Sequence, residues 1–174
     1  MTTSVSVPID DYLRTSYEPD REYVDGELVE RHVGEYFHSR LQALILVLLM
    51  SRERERRFRS FPELRVEVRQ RRRYRIPDIC VKALPHEITS VLVKPDLAIE
   101  ILSSDDEPGE TMARVSDYLH AGTSAVWMID PYKRRVFVAN HNGTREVENL
   151  IVSMDLTGSV DFNELFRQLD EPAD

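Results

Sequence analysis

Two apolar, strand-like segments of the chain each carry a carboxylate near their centre. Residues 75–81 contain Asp78, and residues 96–102 contain Glu100. A carboxylate is costly to bury among Ile, Val and Leu unless a positive charge meets it. Two carboxylates on neighbouring strands also repel each other unless a cation lies between them. The simplest such cation is a hard divalent metal, which takes oxygen ligands.

Strand alternation decides whether the two carboxylates can meet. Asp78 would share a face with Ile76 and Cys80, and Glu100 would share a face with Ala98 and Leu102. If the two strands are neighbours, both acids can converge on one metal ion. Phosphodiester hydrolysis uses such an ion to polarise a phosphoryl oxygen and activate a water. The pattern therefore predicts half of a metal-dependent nuclease site, the other half being a lysine.

The length of 174 residues predicts a single domain with a sizeable core. We expect an N-terminal helix and hairpin over residues 8–34, a central core over 35–140, and a C-terminal strand and helix over 141–174. Cys80 is the one cysteine, which suits a reducing compartment. The start of the chain lacks a signal-peptide pattern, and the longest apolar run, residues 43–50, is too short to span a membrane. We therefore expect a cytoplasmic protein with no membrane partner.

Positive charge is concentrated in one part of an acidic chain. The net charge is −8, but residues 52–75 hold eleven arginines and four glutamates. One interpretation is a solvated helix end and hairpin. The other is a basic rim that meets phosphates, which the arginine guanidinium matches well. Both interpretations stay open at this point.

Hydrophobic periodicity predicts a mixed α/β (α+β) fold with a five- to seven-stranded sheet flanked by helices. Helices are expected over residues 8–18, 34–56, 110–121 and 162–169, the last with Asp161 as its cap. Residues 22–30 predict a hairpin around an Asp25-Gly26 turn. Further strands are expected over residues 63–69, 75–81, 97–102, 125–130, 135–140 and 148–153. The strand, helix and strand from Asp96 to Asp130 predict a parallel crossover.

An ordered set of motifs resembles the restriction-endonuclease-like family of bacterial nucleases, in the PD-(D/E)XK nuclease superfamily. The resemblance covers roughly residues 20–140, and no single motif in it is specific. Its motifs are Glu22-x-x-Asp25-Gly26-Glu27, His38, Ile76-Pro77-Asp78-Ile79, Pro95 to Ser103, Asp117-Tyr118-x-x-x-Gly122 and Val126 to Pro131. It implies a restriction-endonuclease-like core and DNA as the partner. It also implies an Mg²⁺ or Mn²⁺ cofactor held by Asp78 and Glu100, with Glu27 as a third acid.

The chain departs from the family pattern at its expected lysine. The superfamily lysine position, two residues after the second acid, is Leu102 here, and the position four residues before Tyr118 is Arg114. Arginine supplies charge and phosphate contacts, but its bulky fixed cation positions water poorly. Three further acids, Asp105, Asp106 and Glu107, crowd the expected mouth of the site, where they would either bind metal or repel DNA.

Three hypotheses follow. The first is an Mg²⁺-dependent DNA endonuclease, with Asp78 and Glu100 holding metal and Arg114 contacting the scissile phosphate. The second is an inactive nuclease fold that binds nucleic acid or a protein, in which Arg114 simply pairs with Glu100. The third is a homodimer whose sheet is only structural. His38 is expected to be a structural or supporting residue in each case.

Overall fold

The computed structural model describes residues 6–31, 35–104 and 106–171. Its helices are α1 (Ile9–Arg14), α2 (Tyr36–Arg56), α3 (Pro108–His120) and α4 (Phe162–Asp170). Its strands are β1 (Arg21–Val24), β2 (Glu27–Glu30), β3 (Phe58–Pro62), β4 (Val66–Arg69), β5 (Arg73–Arg75), β6 (Ile79–Ala83), β7 (Leu92–Val93), β8 (Leu97–Ile101), β9 (Ala125–Asp130), β10 (Arg135–Asn140), β11 (Gly143–Glu146), β12 (Ile151–Met154) and β13 (Gly158–Asp161).

The larger sheet has six strands in the order β11-β10-β9-β8-β6-β3. β8 and β9 run parallel and are joined through α3, while the other neighbours are antiparallel. On one face, Ile79 and Ile99 pack with Leu41 of α2 and Phe162 of α4. On the other face, Ala98 and Met128 pack with α3, through side chains that include Tyr118. Helices therefore cover both faces, which explains why β8 is apolar almost throughout.

A second sheet has five strands in the order β2-β1-β5-β4-β7. Its core includes the buried rings of Tyr23 and Tyr74, which pack with Tyr12 of α1. This sheet was not expected separately. Its strand β5 includes Arg75, the first residue of the segment over residues 75–81 that was predicted to be one strand.

The predicted strand over residues 75–81 is wrong in its extent. Arg75 ends β5 in the five-stranded sheet, and Ile79 begins β6 in the six-stranded sheet. Pro77 has no amide hydrogen to donate to a ladder, and the Ile76 amide donates to the Glu22 carboxylate instead. Asp78 therefore stands at the junction between the two sheets, one residue before β6.

Most of the expected elements are confirmed. They include the mixed α/β architecture, the hairpin around Asp25-Gly26, the crossover through α3, and Asp161, whose carboxylate accepts from the Asn163 amide at the start of α4. Gly122 follows the last turn of α3 with φ +94°, a conformation that favours glycine. Gly34, the expected first residue of the second helix, lies outside the described residues.

Several short strands were not predicted, namely β3, β5, β7, β11 and β13. Each has five or fewer residues. Among the described residues, none of the helices combines the length and the apolar character needed to cross a membrane.

Candidate active site

Asp78 and Glu100 face each other at the boundary between β6 and β8. The antiparallel register pairs Ile79 with Ile99, so one step further places Asp78 opposite Glu100. Both are almost completely buried, with 2% and 3% of their surfaces exposed. Both line one small cleft of about 50 Å³, a volume that admits a few water molecules. The cleft is also lined by Glu22, Val29, Glu30, Arg31, His38, Ile101, Ser103, Asp106, Glu110 and Arg114.

Asp78 has protein donors at both of its carboxylate oxygens. Its Oδ1 accepts from Arg31 Nη2 at 2.6 Å and lies 3.2 Å from His38 Nε2. Its Oδ2 accepts from the Ile101 amide at 2.6 Å, which ties Asp78 directly to the end of β8. Sequence reasoning missed Arg31, and no periodic signal marked it, because it follows the short edge strand β2.

Glu100 is held from α3. Tyr118 Oη donates to Glu100 Oε1 at 2.7 Å. Arg114 Nε lies 3.1 Å from Glu100 Oε2, although its N–H is not aimed at that oxygen, so the contact is between charges without a hydrogen bond. Arg114 Nη2 also donates to Asp106 Oδ1 at 3.2 Å. Arg114 and Tyr118 reach the same carboxylate because residues four apart lie on one face of a helix.

The pKa values of the two facing acids are shifted in opposite directions. Burial would raise the pKa of Asp78, but the His38 hydrogen bond and the Arg31 charge outweigh burial and lower it. Burial raises the pKa of Glu100 to about 7, because Arg114 offsets only part of this effect and Asp78 adds a negative charge. Without a further cation, the site therefore carries one firmly ionised carboxylate and one that titrates near neutrality.

The two buried acids also shift the pKa values of His38 and Tyr118. Burial would lower the pKa of His38, but the hydrogen bond and charge of Asp78 raise it. Burial, together with the charge of Glu100, raises the pKa of Tyr118 well above its usual range. His38 therefore supports Asp78 as a donor, and its Nδ1 is buried without a hydrogen-bond partner among the described residues.

The hairpin contributes Glu22 to the cleft and leaves Glu27 outside it. Glu22 is buried and accepts from Arg75 Nη1 at 2.6 Å and from the Ile76 amide at 3.0 Å. Glu27 is exposed and does not line the cleft. The difference is one of position, because Glu22 lies at the open end of the hairpin while Glu27 follows its turn. Glu22 thus anchors the segment that leads to Asp78.

The ion pair between Glu22 and Arg75 is extended by further contacts that lead away from the cleft. Arg75 also donates to Asp117 of α3, through Nε at 2.8 Å. Asp117 accepts from Arg73 Nη1 at 2.7 Å. These contacts join β1, β5 and α3 around the site, so the Asp117 of the sequence motif has a structural partner in the other sheet.

The acids at the expected mouth of the site differ in their positions and contacts. Asp106 lines the cleft, and its two oxygens contact Arg114 and the Ser103 amide. Glu107 precedes α3 and makes no side-chain capping bond. Asp105 lies outside the described residues.

Carboxylate oxygens are the donors that a hard divalent ion prefers, so the chemistry of Asp78 and Glu100 fits Mg²⁺ or Mn²⁺. The described residues do not, however, include a group of three His, Cys, Asp or Glu side chains arranged to hold a metal ion. Arg31 and Arg114 supply the positive charge that the two acids need. A divalent ion at this position would therefore share the two carboxylates with these arginines or displace them.

Comparison with known proteins places the chain in a family and identifies a similar fold. Residues 9–167 match the model of a family named Uma2 and described as "Putative restriction endonuclease". A crystal structure described as a putative nuclease belonging to DUF820, from Anabaena variabilis ATCC 29413, is similar over 94% of this chain and 99% of that chain. The TM-score is 0.82 and the sequence identity is 26%. No curated protein matches the chain.

Proposed function

The chain belongs to the Uma2 family of restriction-endonuclease-like proteins, and from that premise we propose that it hydrolyses DNA phosphodiester bonds with Mg²⁺ or Mn²⁺ as cofactor. The observation that carries the proposal is the pair of buried carboxylates, Asp78 and Glu100, which line the same cleft, the first from the residue before β6 and the second from β8. Burying two facing acids costs folding free energy unless cations compensate their charge, and a bound divalent ion would add to the compensation that Arg31 and Arg114 supply.

Asp78 and Glu100 would hold the ion. When bound, a divalent ion polarises a phosphoryl oxygen and lowers the pKa of a water ligand. Glu22 and the Ile101 amide keep Asp78 in place, the first through the Ile76 amide and the second directly. Tyr118 orients Glu100 by donating to Oε1.

Arg114 supplies positive charge where the phosphate would lie. Its guanidinium is partly exposed, with 17% of the side chain accessible, and contacts both Glu100 and Asp106. If a bound ion neutralised Glu100, the guanidinium would still contact Asp106 and would also be able to pair with a phosphoryl oxygen, a contact for which its fork is suited. It stays protonated at all relevant pH values, so it does not act as a general acid or base.

Nicking of supercoiled plasmid in Mg²⁺ and in Mn²⁺ tests the proposal. We expect Asp78→Asn to abolish cleavage, because an amide is a poor ligand for a hard cation. We expect Arg114→Lys to increase it, because a compact ammonium approaches the attacking water more closely while keeping the charge. Asp155→Asn is the matched control, since Asp155 is exposed and distant from the cleft lining.

Each variant is also checked for folding by urea denaturation, because Asp78 is buried and bonded at both oxygens. Cleavage that persists in folded Asp78→Asn at the parent's rate would remove Asp78 from the reaction. A comparable loss of cleavage in Asp155→Asn would show that loss of one negative charge, and not of Asp78 itself, explains the effect.

A second candidate function is a catalytically inactive module that binds nucleic acid. One observation favours it: both acids already have arginine partners, Arg31 for Asp78 and Arg114 for Glu100. In that case, neither the parent nor Arg114→Lys cleaves plasmid in either metal, and both retain DNA in a gel-shift assay. The plasmid and gel-shift assays together separate the two functions.

A further inference from the structure

The eleven arginines between residues 52 and 75 are not one continuous basic surface. Several are bound internally: Arg52 donates to carbonyls of Thr157 and Ser159, and Arg65 donates to those of Tyr12 and Thr15. Arg75 is buried against Glu22. The arginine-rich sequence thus leaves only part of its charge available to a ligand.

Three of the exposed arginines converge in one place. Arg69, Arg71 and Arg72 lie at the turn between β4 and β5 and line a surface concavity of about 510 Å³. The opposite wall is the β1–β2 turn, with Asp25 and Gly26. Ser6 and Tyr23 complete the lining. We call this concavity the arginine pocket.

Backbone contacts hold the two turns of the arginine pocket together. The Asp25 amide donates to the Arg72 carbonyl at 2.9 Å, and the Arg72 amide donates to the Arg69 carbonyl at 2.9 Å. The Arg71 amide donates to Glu67 Oε1 at 2.8 Å. The arginine backbones are therefore fixed while their side chains extend into solvent, which lowers the ordering cost of binding a ligand.

The carboxylates around the arginine pocket are already engaged. Asp10 pairs with Arg71, and Asp25 pairs with Arg73. Glu67 accepts from the Tyr74 hydroxyl as well as from the Arg71 amide. Among the described residues, this leaves the guanidiniums of Arg69 and Arg72 without a side-chain or backbone acceptor.

The arginine pocket lies close to the acid cleft along one strand. Glu22, near the start of β1, lines the cleft, and Asp25 lines the arginine pocket. Three residues of extended chain span about 10 Å. β5 makes the same connection, since Arg73 lies beside the arginine pocket and Arg75 contacts Glu22. A nucleic-acid backbone that enters the cleft can therefore continue over the pocket.

We propose that the arginine pocket binds a backbone phosphate of double-stranded DNA next to the one presented to the acid cleft. This inference rests on the proposed function for its substrate. The guanidiniums of Arg69 and Arg72 line the same concavity and have no acceptor among the described residues, so both can bind phosphate oxygens. Such contacts position the duplex without reading its sequence. They also provide a local attraction that an acidic protein otherwise lacks.

The test is the salt dependence of duplex binding by the full chain in EDTA, where cleavage does not interfere. Fluorescence anisotropy with a labelled 25-base-pair duplex is measured from about 50 to 200 mM NaCl. We expect Arg69→Ala/Arg72→Ala to weaken binding and to lower the slope of log K against log[salt] by roughly 1 to 2. The matched control is Arg54→Ala/Arg145→Ala, which removes two exposed arginines that have no partner among the described residues.

An unchanged slope in Arg69→Ala/Arg72→Ala overturns the proposal, as does an equal loss in the control variant. Failure of the parent to bind the duplex at 50 mM NaCl overturns it as well. Plasmid nicking reports separately on the proposed function: a reduced slope without nicking leaves the arginine pocket standing and refutes the nuclease activity. Nicking with an unchanged slope supports the nuclease activity and refutes the arginine pocket.

Discussion

Replacing Arg31 tests whether the protein's stability depends on the positive charge that Arg31 supplies to the acid cleft. Among the residues that the structure describes, Arg31 is the one guanidinium that hydrogen-bonds Asp78, at 2.6 Å, and 20% of its side chain is exposed. Arg31→Met keeps most of the apolar stem and removes the charge. A hydrogen bond between charged groups contributes about 1.5–3 kcal/mol, and breaking a buried ion pair costs about 3–5 kcal/mol.

The expected loss for Arg31→Met lies at about 2–3 kcal/mol, since His38 and the Ile101 amide still stabilise the Asp78 carboxylate. With an m-value near 2 kcal/mol/M, this loss moves the urea midpoint by about 1 M. The assay is urea unfolding at pH 7 in EDTA, followed by circular dichroism. Arg145→Met is the control, because an exposed arginine without a partner changes stability by about 0.5 kcal/mol or less.

A double-mutant cycle with Asp78→Asn identifies the partner. If Arg31 acts through Asp78, Arg31→Met costs much less in the Asp78→Asn background. The same cost in both backgrounds would refute this account, and so would a cost near that of Arg145→Met. Adding Mn²⁺ extends the test: an ion that binds Asp78 stabilises Arg31→Met more than it stabilises the parent, since the competing guanidinium is gone.

Two further predictions concern titration and helix capping. The folded-state pKa of Glu100, about 7, lies above its ordinary value of 4.5, so its contribution favours the folded state below pH 4.5 and is lost as the pH rises through 7. Glu100→Gln should therefore flatten the fall in unfolding free energy between pH 5 and 8 in EDTA, and an unchanged slope would contradict the assigned pKa. Asp161 caps α4 through the Asn163 amide, so Asp161→Ala should cost about 1 kcal/mol in urea unfolding; Asp155→Ala, an exposed site with no capping role, should cost far less.

The charges around the cleft shift the pKa values of the two acids in opposite directions. Asp78 stays ionised because Arg31 and His38 meet its oxygens, whereas Glu100 is buried beside a negative neighbour. The arginine at position 114 fits this arrangement, since a fixed cation compensates Glu100 without a metal ion. Arg114 thus contributes to stabilising the buried Glu100 carboxylate within the protein itself.

The acid pair could be found from the sequence because the free-energy cost of burying an unpaired carboxylate depends on the apolar segment in which it stands. A glutamate inside Leu97–Ile101 is conspicuous wherever the strand goes, and the apolar run requires that strand to be central. The helical spacing of Arg114 and Tyr118 likewise places both side chains on one face of α3. These inferences need only the period of a strand or helix and the electrostatics of burial.

The remaining partners depend on contacts between residues far apart in the chain. Arg31 reaches Asp78 across 47 positions, and Glu22 reaches Ile76 across 54. The division of residues 75–81 between two sheets arose the same way, because a side chain from β1 took the Ile76 amide. By itself, the sequence determined which carboxylates had to be compensated. Only the tertiary structure decided which cations compensate them, since that depends on how two separately paired sheets meet at Asp78.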